Sequence, residues 1–226
     1  MTLKGRVALR LVIILPLLAA VLFLPAGTLR FWQAWAFLGI FLGFNWFLLQ
    51  HFYRRDPRLL ERRLQMKERD PGQRLFKVFW LPLWICVLTV PGFDHRFGWS
   101  RAWTGGVPVW LTVLCQAALL CSWLLIFQVF RYNTFASTVV QVEADQKVAS
   151  TGPYRIVRHP MYAAIALMAL VVPFALGSYA AVPFGILQLP LLMVRLRNEE
   201  RVLRRDLQGY AEYCSRTRFR LIPGVW

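Results

Sequence analysis

Five stretches without a single Asp, Glu, Lys or Arg dominate the 226-residue chain: 11–29, 31–53, 78–93, 102–130 and 160–194. A helix needs about 20 apolar residues to cross the hydrocarbon core of a bilayer, and helices and closed barrels alone satisfy their backbone polar groups there. Each of the first four runs supplies one such helix, the third being short. The last run would be roughly 52 Å long as one helix at 1.5 Å per residue, too long for a core of ~30 Å. It is expected to fold back near ALGSY, 175–179, with Pro173, Pro183 and Pro190 bending its arms. The chain thus reads as an all-α integral membrane protein of five to six transmembrane helices, the last two a tight hairpin. Its 58% content of hydrophobic residues fits that class and no soluble domain of this size.

The net charge of +16 raises the question of a nucleic-acid partner. With six segments, 24 of the 27 Lys and Arg fall on one side, in 1–10, 54–77, 131–159 and 195–226. Only Arg30, Arg96 and Arg101 fall on the other. This is the positive-inside asymmetry; it places both termini in the cytoplasm and directs the charge at anionic headgroups rather than nucleic acid. No organellar signal is evident, so a bacterial cytoplasmic membrane is expected. Lys4, Arg6 and Arg10 resemble the start of a signal peptide, but the long apolar run after them favours a retained helix. Cys86, Cys115, Cys121 and Cys214 show no paired spacing, which suggests neither a disulfide framework nor a metal site.

Within the runs the polar residues are few: Asn45, Gln50, His51, Gln116, Gln128 and Gln188. Transporters usually place an ionisable group at that depth, so the chemistry is expected at the cytoplasmic interface. Trp32, Trp80, Trp103 and Trp110 suit an interfacial belt. Two cytoplasmic helices are expected to lie on the membrane surface: 54–74, with Leu60 and Leu64, and the tail, with a stripe of Leu203, Leu207 and Tyr210. Residues 1–130 form four N-terminal helices, and 131–226 a C-terminal region carrying the site.

That site centres on TGPYRIVRHPMYAA, 151–164. Pro160 suits a first helical turn, with His159 at the N-cap. The free N–H groups there, with Arg158 beside them, can hold a carboxylate or phosphate. Gly152-Pro153 makes a turn that brings Tyr154 back as an aromatic wall. Arginine, histidine and proline also commonly mark the edge of a membrane helix, and that plainer reading stands beside the first. The hairpin then returns VRLRNEER to the same face. Glu199 and Glu200 either pair with Arg195 and Arg204 on their own helix, or one of them accepts hydrogen bonds from ribose hydroxyls or offsets a cation. An anion receptor beside an acidic acceptor matches S-adenosylmethionine.

RHPMYAA, an apolar hairpin and then EE resemble the signature of the isoprenylcysteine carboxyl methyltransferase family and the related phospholipid N-methyltransferases. The resemblance covers roughly 128–226, including RYNTFAS and GYAEYCSRTRFRLIPGVW. It implies an integral-membrane methyltransferase binding S-adenosylmethionine through Tyr154, Arg158, His159, Pro160, Tyr162, Glu199 and Glu200. Ala164 stands where the signature has glycine, a change expected to tighten the pocket wall.

Methyl transfer from a sulfonium is an in-line displacement that needs alignment and exclusion of water. For an acceptor carboxylate on a lipid-like or isoprenylated molecule, the reaction the first family favours, no base is required, and Arg195 or Arg197 is placed to hold it. A lipid amine would need a base, Glu200 or His159. Asn133 either donates a hydrogen bond or ends the fourth helix. A sterol-reductase-like NADPH enzyme and a non-enzymatic membrane module or transporter are the competing classes.

Overall fold

A computed structural model describes residues 3–55, 71–135 and 146–226, and all the regular structure in them is helical. The helices are α1 (Leu3–Ala26), α2 (Trp32–Arg55), α3 (Pro71–Phe97), α4 (Trp99–Thr104), α5 (Val109–Tyr132), α6 (Pro160–Ala175), α7 (Val182–Asp206) and α8 (Tyr210–Arg216). A 3₁₀ turn, Gly152–Arg155, precedes α6. Trp32–Arg55, Val78–Phe97 and Val109–Tyr132 are long and apolar enough to cross a membrane; Val12–Ala26 and Pro160–Ala175 are shorter apolar helices. Trp46, Trp110, Leu120, Leu124 and Ile186 are exposed on their outer faces, as residues solvated by lipid tails would be. The architecture is the all-α membrane protein expected.

Helix α5 packs along α6, α1 along α3, and α7 between α3 and α6. The chain reverses between α6 and α7 as expected, through Leu176–Ala181, where the Gly177 N–H bonds to Phe174 O (2.9 Å) and the Ser178 N–H to Pro173 O (2.9 Å). The arms cross closely because Gly185 has no side chain: a Cβ there would collide with the Ala169 carbonyl. With 16 residues, α6 is about 24 Å long. The uncharged start of α7, 182–194, is about 20 Å. Both fall short of the ~30 Å hydrocarbon thickness.

The end of the bundle carrying this reversal is fastened by a buried carboxylate. Helix α3 continues past the uncharged run to Phe97 and so carries Asp94 inside. Asp94 Oδ1 accepts the Ser100 N–H at 2.7 Å. Its Oδ2 accepts both the Ser100 and the Ser178 hydroxyls. Ser100 Oγ in turn accepts the Tyr179 N–H at 2.9 Å. Beside this, Gln116 Nε2 donates to Ala175 O (2.7 Å) and Gln33 O (3.2 Å), joining α5, α6 and α2.

At the opposite end one expectation is corrected. Leu207 and Tyr210 are buried and Leu203 packs against the core, so the tail stripe faces protein rather than membrane. The reason is that α8 folds back against the 3₁₀ turn, where the Tyr213 and Thr217 hydroxyls both donate to the Tyr154 carbonyl. The surface helix expected over 54–74, with Leu60 and Leu64, lies largely outside the described residues.

Candidate active site

Gly152 permits the local fold. Its φ is +59°, and a Cβ would strike the Tyr132 ring, so only glycine lets the 3₁₀ turn close against α5. That turn carries Tyr154 inward. Asn133, which also caps α5, donates Nδ2–H to the Tyr154 hydroxyl at 3.0 Å. The Tyr213 hydroxyl donates to the Tyr154 carbonyl at 2.7 Å. Burial pushes the Tyr213 phenol up to about 12, so it stays a neutral donor. Burial likewise raises Tyr154, against the Asn133 hydrogen bond, which lowers it.

Pro160 opens α6 and His159 is its N-cap, as expected. The flanking backbone is held by 217–226: the Arg158 N–H bonds to Phe219 O and the His159 N–H to Arg220 O, each at 2.9 Å.

Forty-one positions beyond His159, on the charged extension of α7, Glu200 collects three cationic or cation-capable partners. Arg158 Nε and His159 Nε2 each lie 3.3 Å from Oε1, and Arg220 Nε donates to Oε2 at 2.9 Å. The Arg158 contact is ionic rather than an aligned hydrogen bond. Burial alone would raise the Glu200 carboxyl; the hydrogen bonds from His159 and Arg220, with the charges of His159 and Arg158, outweigh it and hold it at about 2. For Arg158, burial lowers the guanidinium, but Cys214 and the Glu200 charge raise it overall. A second relay runs alongside: Arg195 Nε donates to the Tyr162 hydroxyl at 3.0 Å, and that hydroxyl donates to Glu199.

Beside these groups lies a cavity with about 80 Å³ of room for water-sized molecules. Tyr154, Arg158, His159, Pro160, Tyr162 and Glu199, all expected from the sequence, line it. Glu200 lies behind Arg158 and His159, outside the lining. Both of its oxygens are taken up by Arg158, His159 and Arg220. Arg195 is buried behind Tyr162, its guanidinium 4.7 Å from the Phe76 ring centroid. Arg197 is exposed and absent from the lining, because it sits two positions from Arg195 and so faces away on a 3.6-residue helix. Ala164 is fully buried in the helical core rather than on the cavity wall, so the expected tightening of the pocket is not met.

Tyr210, Tyr213, Leu207 and Met161 complete the wall, and sequence reasoning had not placed them there. The spacing of Tyr210 and Tyr213, three apart on a short helix after Gly209, was the available signal. Arg220 carried none, since its role depends on the chain after α8 folding back to Glu200, 20 positions earlier.

The donor set suits a ligand with a carboxylate, hydroxyls and a flat ring. Met161 and Tyr162 bring first-turn N–H groups with no partner inside the helix, Arg158 adds a fork of donors, and Glu199 adds an acceptor. The buried Tyr210 hydroxyl has no hydrogen-bond partner among the described residues, and a ligand polar atom would satisfy it.

Comparison with known proteins agrees with the sequence resemblance. Residues 110–205 match the model of the isoprenylcysteine carboxyl methyltransferase (ICMT) family. The match spans α5 to α7 and takes in Tyr154, His159, Tyr162 and both glutamates, but stops before Tyr210, Tyr213 and Arg220. No curated protein matches the chain.

Proposed function

We propose that the protein is a membrane methyltransferase that binds S-adenosylmethionine in this cavity and methylates a carboxylate on a lipid-like or isoprenylated acceptor. The observation carrying the reading is the coupling of the two motifs: Glu200 ties Arg158 and His159 to α7, so the helix N-terminus and Glu199 share one cavity. The arginines at the C-terminal ends of α2, α5 and α7 lie towards that end, which orients the site to the cytoplasm.

Arg158 and the first-turn N–H groups of α6 would hold the cofactor's carboxylate, Glu199 its ribose hydroxyls, and the tyrosine walls its adenine. When bound, the cofactor supplies an electrophilic methyl on a sulfonium. The tyrosines and Leu207 exclude water, which favours a reaction whose charge disperses. Arg195 holds the Tyr162 hydroxyl toward Glu199 and fixes that wall. A carboxylate acceptor brings its own nucleophile, so no residue has to remove a proton. That accords with Glu200 being held at about 2, unsuited to deprotonate an amine.

Titration of the detergent-purified protein with S-adenosylhomocysteine tests the reading. Micromolar binding is expected, weakened tenfold or more by His159→Ala and by Glu199→Ala, as for loss of a buried charged partner. No binding by folded native protein overturns it. With labelled cofactor and isoprenylated thiol acids, the product is expected to release its methyl as methanol in base; a base-stable methyl group would shift the assignment to amine N-methylation.

A further inference from the structure

Segment 217–226 closes on itself beside the cavity. The Trp226 carbonyl accepts the N–H groups of Arg220 (2.9 Å), Leu221 (3.0 Å) and Ile222 (3.2 Å), and the Trp226 N–H returns to Ile222 O (3.1 Å). Gly224, at φ +80°, allows the tight return. The loop presents the Trp226 indole on two sides. One side packs on the cluster of Tyr162, Leu192, Leu196 and Leu221. The other lies under the Arg220 guanidinium, whose Cζ is 5.0 Å from the ring centroid.

Arg220 is the most exposed member of the Glu200 network. Its side chain is 32% exposed, against 5% for Arg158 and 4% for His159. An exposed arginine has many rotamers, and few of them reach Glu200. Stacking over an indole restricts that choice and adds attraction from the ring face. From the geometry we infer that Trp226 is a positioning residue for the cofactor cavity. Its ring holds Arg220 against Glu200 Oε2, which leaves Oε1 aimed at Arg158 and His159 on the cavity wall. The inference rests on the cofactor reading for its functional consequence, but its structural core does not.

The test compares Trp226→Leu, which keeps apolar bulk in the cluster but removes the ring face, with Trp226→Phe, which restores a smaller one. S-adenosylhomocysteine affinity is expected to fall about tenfold in Trp226→Leu, the scale of a partly desolvated cation–π contact, and to recover to within about threefold in Trp226→Phe. Wild-type affinity in a folded Trp226→Leu protein overturns the inference. So does an equal loss in both variants, which would assign the residue to packing alone. The second readout needs no cofactor: the nitrogen-15 histidine spectrum resolves His51, His95 and His159. Trp226→Leu is expected to move the His159 signals and leave the other two in place. If the native protein binds no S-adenosylhomocysteine, the methyltransferase reading fails, and this spectrum decides the inference: an unmoved His159 overturns it.

Discussion

At the residue scale, the carboxylate of Glu200 gathers Arg158, His159 and Arg220 beside the cavity. Glu200 is buried, and its ionised form is preferred because three partners converge on it. Its folded value of about 2 lies below the ordinary 4.5. The corresponding stabilisation is therefore present above about 4.5 and lost as the pH falls through about 2. Melting followed across this window is expected to show the native protein losing stability, with Glu200→Gln lacking that component. Near neutral pH, Glu200→Gln is expected to cost about 3 kcal/mol, because it leaves Arg158 and Arg220 without a counter-ion. Tyr213→Phe is a milder change. It removes one hydrogen bond to the Tyr154 carbonyl and is expected to cost about 1 kcal/mol, visible as a small drop in melting temperature. Glu200 and Tyr162 were legible beforehand as members of the motif. Their roles were not, because a spacing shows which groups are near and not which of them are satisfied by one another.

At the element scale, Gly185 and Gly152 set how closely the elements around the cavity approach. Gly185 lies where α7 crosses α6, and Gly152 where the 3₁₀ turn meets α5. Gly185→Ala pushes a methyl into the Ala169 carbonyl, which cannot move without shifting α6. Overpacking of this kind costs about 1–3 kcal/mol. It is expected to lower both melting temperature and S-adenosylhomocysteine affinity, since α6 carries His159, Met161 and Tyr162 at its start. The hairpin was readable because 35 uncharged residues cannot cross once without leaving polar backbone in lipid or overshooting it. The direction of α8 was not, since an amphipathic stripe is equally suited to a membrane surface and to a protein groove.

At the scale of the whole molecule, the two ends of the bundle divide the work. One end holds the cavity and the arginine-bearing C-terminal ends of α2, α5 and α7; the other is locked by Asp94, Ser100 and Ser178. Asp94→Ala leaves two hydroxyls and an N–H without their acceptor, at a cost of about 2–4 kcal/mol. Melting temperature is expected to fall by several degrees. Cofactor affinity is expected to stay within twofold of native, because the lock lies the length of α6, about 24 Å, from the cavity. A tenfold loss of affinity would instead mean that the hairpin transmits its register to the site.

The sequence by itself determined the all-α membrane architecture and the reversal between α6 and α7, which follow from length without charge and from proline and glycine geometry. The grouping of Tyr154, Arg158, His159, Pro160, Tyr162 and Glu199 was implied by the resemblance of the motif to a known family. Only the tertiary structure decided that Glu200 is pinned by Arg158, His159 and Arg220, that Arg197 points away while Arg195 lies behind Tyr162, and that 217–226 folds back to hold the backbone of Arg158 and His159. These depend on which side chains meet across 20 to 63 positions of intervening chain. A sequence pattern shows which faces are apolar. Close packing and the need to satisfy every buried charge select which faces come together.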